Sequence, residues 1–401
     1  MPRWCLRSSC SPSIEVIACD VHLPSRLPRV GTTIFTIMSG LAAKHGAINL
    51  SQGFPDFDPP QRLLERVTHH MAAGQNQYAP MAGVAPLRAA IGAKVASLYG
   101  AHYDVEHEIT VTAGATQAIF TAIAACVRPG DEAIVFAPVY DAYGPAIELN
   151  GGRVVHALLS ATDYLPDWDQ VKALVSARTR MIIINTPHNP SGAVWRATDL
   201  EALNALVRGT DIVVVSDEVY EHMVFGGVRH ESVARYPELR ERSFVISSFG
   251  KTYHVTGWKI GYCLAPQRLM AEFRKVHQFN VFAVNHPMQL AIADFMEQAP
   301  GFATGLAGFY EARRDFFLQQ LAGSRFEPLK CSGTYFQLAR FDAISDEADT
   351  EFVQHLTREH GVAAIPVSVF NPDGRDHKVI RFCFAKNEET LVAAGDRLRR
   401  V

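Results

Sequence analysis

Four short, unbroken apolar runs constrain this chain more than any other feature: Ala133–Phe136, Met181–Ile184, Ile212–Val215 and Phe244–Ile246. Apolar residues in strict succession, rather than alternating with polar ones, suit strands buried on both faces. Turn residues flank each run, and a segment long enough for a helix separates it from the next. Strands and helices in that alternation build a parallel sheet covered by helices. The chain is therefore predicted to be α/β.

Ahead of these runs, Pro86–Tyr99 spaces its apolar residues as a helix does. It opens on proline, whose missing N–H costs nothing at that position. The short β-branched stretch Glu108–Thr112 comes next, then an apolar helix over Gln117–Val127. After about residue 300 the texture changes. Gly305–Leu321 and Thr350–Glu359 read as amphipathic helices, Val379–Phe384 as a strand and Glu388–Arg399 as a final helix. This predicts a second, smaller α+β lobe. A chain of 401 residues, at roughly 100–200 per domain, has room for both.

Net charge and cysteine usage narrow the partners. A formal charge of −3 gives no broad basic field, so neither nucleic acid nor an anionic membrane is an expected partner. No apolar run approaches the ~18 residues of a membrane-crossing helix. The seven cysteines include no C-x-x-C pair, and Cys126, Cys263, Cys331 and Cys383 sit in apolar stretches. Neither a disulfide framework nor a metal site is expected, and a reducing, cytoplasmic location is. The apolar patch Ile14–Ala18 is shorter than the roughly 7–15 residues of a secretory signal, so residues 1–28 are read as a poorly ordered leader.

In open α/β sheets, ligands bind beyond the carboxyl ends of the strands. Glu108–Thr112 leads to Gly114-Ala115-Thr116 at a helix start, and Ala133–Phe136 to Pro138-Val139-Tyr140. Met181–Ile184 leads to NTPHNPSG at 185–192, Ile212–Val215 to Ser216-Asp217-Glu218-Val219-Tyr220, and Phe244–Ile246 to Ser247-Ser248-Phe249-Gly250-Lys251. An anion cradle, an aromatic ring, an amide, a carboxylate with a phenol, and a lysine thus meet at one edge.

Each residue also has an ordinary reading. Most lysines are solvated, but Lys251 is one of only nine and follows two serines and a glycine at a strand end. A Schiff-base lysine needs such a desolvated, electropositive setting, to which Lys259 could contribute. Asp217 could simply reach water, yet it emerges from four apolar residues. Tyr220 could be core. A helix start at Ala115 and Thr116 binds anions without specificity, and Ser248 and Lys259 would complete a phosphate cup. Arg381 shares a strand face with Val379 and Cys383. A guanidinium there needs an anion, either a structural carboxylate or a bound one.

The segment SSFGKTYHVTGWKIGY (247–262), with NTPHNPSG and SDEVY ahead of it, resembles the pyridoxal-phosphate (PLP) aminotransferases of fold type I. GTTIFTIMSGLAAKHGAINLSQGFPDF (31–57), NQYAPMAGVAPLR (76–88), HQFNVFAVN (277–285) and RFCFAK (381–386) extend the likeness, which runs from about residue 28 to 399. Within the family the chain is similar to the branch of methionine aminotransferase and kynurenine aminotransferase (glutamine transaminase K). The resemblance implies a large domain with a mostly parallel, seven-stranded sheet over residues 61–300. The arm, residues 29–60, would join residues 301–401 in a smaller α+β domain. It also implies that Lys251 carries PLP as a Schiff base, that Asp217 meets the pyridine nitrogen, and that Tyr220 and Asn189 meet the phenolic oxygen. Tyr140 would stack on the ring, while Ala115, Thr116, Ser248 and Lys259 hold the phosphate. Arg381, Asn189 and the Gly53 backbone would hold the substrate carboxylate. Tyr78 and Phe282 would reach across from the second subunit of a homodimer.

The implied reaction is a ping-pong transfer of an amino group from an amino acid to a 2-oxo acid. A β-lyase acting on cysteine S-conjugates is the alternative on the same scaffold. A non-catalytic module of this fold would lack Lys251 or Asp217, and a nicotinamide dehydrogenase would need a G-x-G-x-x-G turn that is missing here. Asn280–Gln289 contains no arginine or lysine and offers Phe282, so methionine and aromatic donors are expected over dicarboxylic ones. Phe54, Tyr143 and Phe370 are candidate apolar walls. Asn189–Pro190 and Ala137–Pro138 are expected to be cis.

Overall fold

A computed structural model describes residues 23–401. Most of the expected leader, residues 1–22, lies outside the described residues. From residue 23 the chain leads to helix Ile34–His45, with Arg26 bonded to the Leu149 carbonyl and Arg29 paired with Glu148.

The central sheet has seven strands, in the order Ile109–Thr112, Gly261–Leu264, Ser243–Ser248, Val213–Asp217, Thr179–Asn185, Glu132–Ala137 and Arg153–Leu158. Every pairing is parallel except those of Gly261–Leu264, which runs against both neighbours. All four apolar runs are strands, almost wholly buried, with separate apolar clusters packed against them. The sequence pattern gave no hint of strand Arg153–Leu158. As an edge strand it has one hydrogen-bonded neighbour and is half-exposed, so it needs no continuous apolar run.

Register aligns the strand ends that matter. Asn185 lies opposite Asp217, while Gly261 sits between Thr112 and Ser248. A Cβ on Gly261 would stand 2.6 Å from the Ser247 carbonyl and 3.1 Å from the Ala115 nitrogen. Only glycine lets the helix that follows Gly114 begin this close to the sheet.

Residues after 300 form helices Gly301–Leu321, Asp349–Glu359 and Glu388–Leu398 around a four-stranded antiparallel sheet. That sheet is ordered Ile365–Pro366, Val379–Cys383, Phe336–Arg340 and Glu327–Pro328. The N-terminal arm joins it: Ile48–Asn49 pairs in parallel with Val362–Ala363, and Met38 and Leu50 belong to the same apolar cluster as Phe352 and Leu391. Among the described residues, no helix is long and apolar enough to cross a membrane. The peptide bonds before Pro138 and Pro190 are cis, and so is that before Pro187, which was not anticipated.

Candidate active site

A cavity of about 380 Å³ opens where the carboxyl ends of the central strands meet the C-terminal sheet. The site residues singled out from the sequence line it, except Tyr78, Phe282, Tyr143 and Phe370.

At one end lies Asp217, the last residue of its strand and buried. Its carboxylate accepts a 2.6 Å hydrogen bond from the Tyr143 hydroxyl and a weaker one from the Val219 amide. Burial outweighs these bonds and pushes its pKa up to about 6. A carboxylate so placed calls for a cation. Tyr143 was expected to wall the pocket; instead it is buried behind Asp217 and holds the carboxylate. Asn185, also unforeseen, bonds the Asp217 carbonyl through Nδ2 and accepts from the Asn189 amide, tying two strand ends together.

The opposite polarity collects at helix Ala115–Cys126. Its N-cap, Gly114, has φ 79°, and no side chain caps it. The Lys259 amine lies against it, 3.4 Å from where a Gly114 Cβ would stand. Among the described residues, neither Lys259 Nζ nor Ser248 Oγ has a hydrogen-bond or ion-pair partner. Free amides, a hydroxyl and an ammonium around one space suit a phosphate-sized anion.

Lys251 lies in the short helix Phe249–Thr252, directly after strand Ser243–Ser248. Its amine donates to the Tyr335 hydroxyl at 2.8 Å and to the Gly53 carbonyl at 3.3 Å. Burial, helped by the nearby Lys259 and Arg381, brings its pKa down to about 8. Tyr335 escaped the sequence reading because a tyrosine in an apolar stretch reads as core. Tyr220 is buried with its ring edge-on to Tyr335, centroids 5.2 Å apart, and Tyr140 lines the cavity beside Thr116.

Arg381 is buried in the middle of strand Val379–Cys383. It donates to Asn189 Oδ1 at 2.6 Å and to the Ser51 carbonyl at 3.1 Å, and its Nε has no partner. The guanidinium lies 3.8 Å from the centroid of the Phe336 ring. Among the described residues no carboxylate comes within ion-pair distance of it, so the structural salt bridge is absent. Phe35, Phe54 and Phe336 provide apolar wall. Phe370 does not; it is buried beside Phe35. Lys251, Lys259 and Arg381 are the cationic residues lining the cavity.

Tyr78 and Phe282 lie together at the surface, 82% and 54% exposed, with ring centroids 5.3 Å apart.

Residues 45–398 match the family model for aminotransferase class I and II. The chain is 55% identical to the methionine aminotransferase of Escherichia coli, over 94% of this chain and 98% of that protein. It is 33% identical to human kynurenine–oxoglutarate transaminase 1, over 90% and 93% of the two chains. A solved E. coli structure described as having a methionine aminotransferase function superposes with a TM-score of 0.93 at 55% identity, covering 95% of this chain and 100% of that one. With this fold, this cavity and these relatives, the chain belongs to the class I and II aminotransferases, PLP-dependent enzymes of fold type I.

Proposed function

We propose that the cavity holds PLP between Asp217 and the Gly114–Thr116 helix start, and that the enzyme moves the amino group of methionine or an aromatic amino acid to a 2-oxo acid. The observation that carries this reading is the pairing of Lys251, an amine with pKa about 8, and Arg381, a buried guanidinium without a carboxylate, in one cavity. When bound, PLP supplies an electron sink for the α-carbon of the amino acid.

The residues divide the work. Asp217 would hold the pyridine nitrogen in its protonated form, and beside such a cation its own carboxyl would ionise more readily. Tyr140, Tyr220 and Asn189, which line the same cavity, would hold the ring and its phenolic oxygen. Ala115, Thr116, Ser248 and Lys259 hold the phosphate. Lys251 would anchor the cofactor covalently and, once freed, would move the α-proton; an amine with pKa about 8 is well matched to giving and taking a proton near neutrality. Arg381, with Asn189 and the Gly53 backbone, holds the substrate carboxylate.

Substrate choice follows from the walls. Phe35, Phe54 and Phe336 meet the side chain, and no lining cation is left over for a second carboxylate. An apolar or thioether side chain gains roughly 0.8 kcal/mol per buried CH₂ there, whereas an unpaired carboxylate loses hydration. Tyr78 and Phe282, exposed together and outside their own chain's cavity, fit a homodimer in which each reaches the neighbouring site. The domains divide as residues 61–300 against residues 29–60 with 301–401. Nothing in the cavity favours β-lyase chemistry over transamination.

Two measurements test this reading. Borohydride reduction of the holoenzyme is expected to fix the cofactor on the peptide containing Lys251; label on Lys259, or none, refutes the anchor. With a shared oxo-acid acceptor, kcat/KM for methionine and phenylalanine is expected to exceed that for aspartate by at least about tenfold, a gap of ~1.4 kcal/mol. Equal rates would remove the argument from the walls.

A further inference from the structure

The proposed roles leave one group against the Lys251 amine without a function. Tyr335 is buried, and its hydroxyl donates to the Gly53 carbonyl at 2.6 Å while accepting from Lys251 Nζ at 2.8 Å. Nζ also donates to that same Gly53 carbonyl, at 3.3 Å. Burial and the neighbouring Tyr220 hold the phenol well above its usual pKa, so it stays protonated, with its proton on Gly53 and its lone pairs towards the amine. A neutral amine has two N–H bonds, one bond to Cε and one lone pair. With both N–H bonds taken by Tyr335 and Gly53, the lone pair has a single direction left.

We propose that Tyr335 is a positioning residue for Lys251: with the Gly53 carbonyl it clamps both N–H bonds of the freed amine and so aims the lone pair that takes up and returns the substrate's α-proton. This rests on the reading of Lys251 as the cofactor's anchor. In the transfer the C–H bond breaks, a third N–H bond forms, and the electron pair stays with the cofactor-bound substrate. No further reactant is needed. Among the described residues, the amine makes hydrogen bonds to Tyr335 and Gly53 and none to Tyr220, although the two tyrosine rings lie at similar distances from it, 5.4 and 5.7 Å to the centroids. Packing alone would explain the Tyr335 ring, which meets Tyr220 and Phe336 edge-on at 5.2 and 4.8 Å. Packing does not explain where the hydroxyl sits.

Tyr335→Phe keeps the ring and removes the clamp. Misaiming a reacting group slows its step steeply, so kcat for methionine is expected to fall about tenfold or more, with KM changed less than about threefold. Two further readouts separate aim from architecture. The primary isotope effect with methionine deuterated at Cα is expected to rise, because proton transfer becomes slower relative to the other steps. The pH midpoint for PLP uptake by the cofactor-free protein, followed by visible absorbance, is expected to move down by about half a unit, because the ammonium loses an acceptor. Asp217, Lys259, Arg381 and the Cys383 thiol, the other groups acting on that amine, are unchanged in the variant. Tyr335→Leu, which also lacks the hydroxyl, serves if the first variant does not fold. An unchanged isotope effect and an unchanged uptake profile would overturn the clamp. Borohydride labelling of the same samples keeps the two ideas apart: label on Lys251 with indifferent variants rejects Tyr335 alone, and label elsewhere rejects the anchor.

Discussion

Asp217 shows how much a single buried bond governs. Its pKa of about 6 is the balance between burial, which favours the acid, and the Tyr143 hydroxyl, which favours the carboxylate. In the cofactor-free protein the folded state therefore holds a proton here that the unfolded chain has already released between about pH 4 and 6. This group's contribution to stability accordingly falls as pH rises through that window, by about 3 kcal/mol in all. PLP needs the ionised form, so its affinity should rise over the same window. A hydrogen bond to a charged group contributes roughly 1.5–3 kcal/mol. Tyr143→Phe is thus expected to move the acid limb of PLP affinity up by about one pH unit relative to wild type. A limb that stays in place in spectroscopic titrations would mean that Tyr143 only packs.

At the scale of elements, the phosphate end depends on how closely one helix approaches one strand. The helix beginning at Ala115 reaches the cavity because Gly261 leaves room, and the atoms that a Cβ would strike are backbone atoms of Ser247, Gly114 and Ala115, which cannot swing aside. Gly261→Ala is expected to displace the helix start. Overpacking of this kind costs about 1–3 kcal/mol, visible in denaturant melts of the cofactor-free protein. The same displacement is expected to weaken PLP binding at least about tenfold, a second charge for a phosphate cup opened by tenths of an ångström. Loss of stability with unaltered PLP affinity would show that the cup does not depend on this contact.

For the molecule as a whole, the exposed Tyr78–Phe282 pair makes the sharpest claim, because it concerns a second copy of the chain. If Tyr78 serves the partner's site, Tyr78→Ala and Lys251→Ala damage sites in complementary ways. In a mixed dimer one site then has both intact residues. Random reassortment of the two weakly active variants is expected to restore about a quarter of wild-type activity, since half the dimers are mixed and each has one good site of two. No recovery after demonstrated exchange of subunits would place Tyr78 in its own chain's site or outside catalysis.

The local pattern of residues was enough to identify the sheet and the chemistry at its edge. Unbroken apolar runs can lie only between two covering layers, and the polar residues that end them, Asn189, Asp217, Ser248 and Lys251, must then emerge at one rim. The edge strand Arg153–Leu158 and the reversed strand Gly261–Leu264 were not legible in this way, since half-burial and strand direction leave no local trace. Long-range partners were decided by the tertiary structure alone. Tyr143 meets Asp217 across 74 residues, Tyr335 meets Lys251 across 84, and Arg381 reaches the Ser51 carbonyl across 330. Along the chain, Tyr143 and Tyr335 look like any buried tyrosine. Only folding shows which carboxylate or amine each hydroxyl meets, because a hydrogen bond depends on a separation in space that residue type and sequence spacing do not encode.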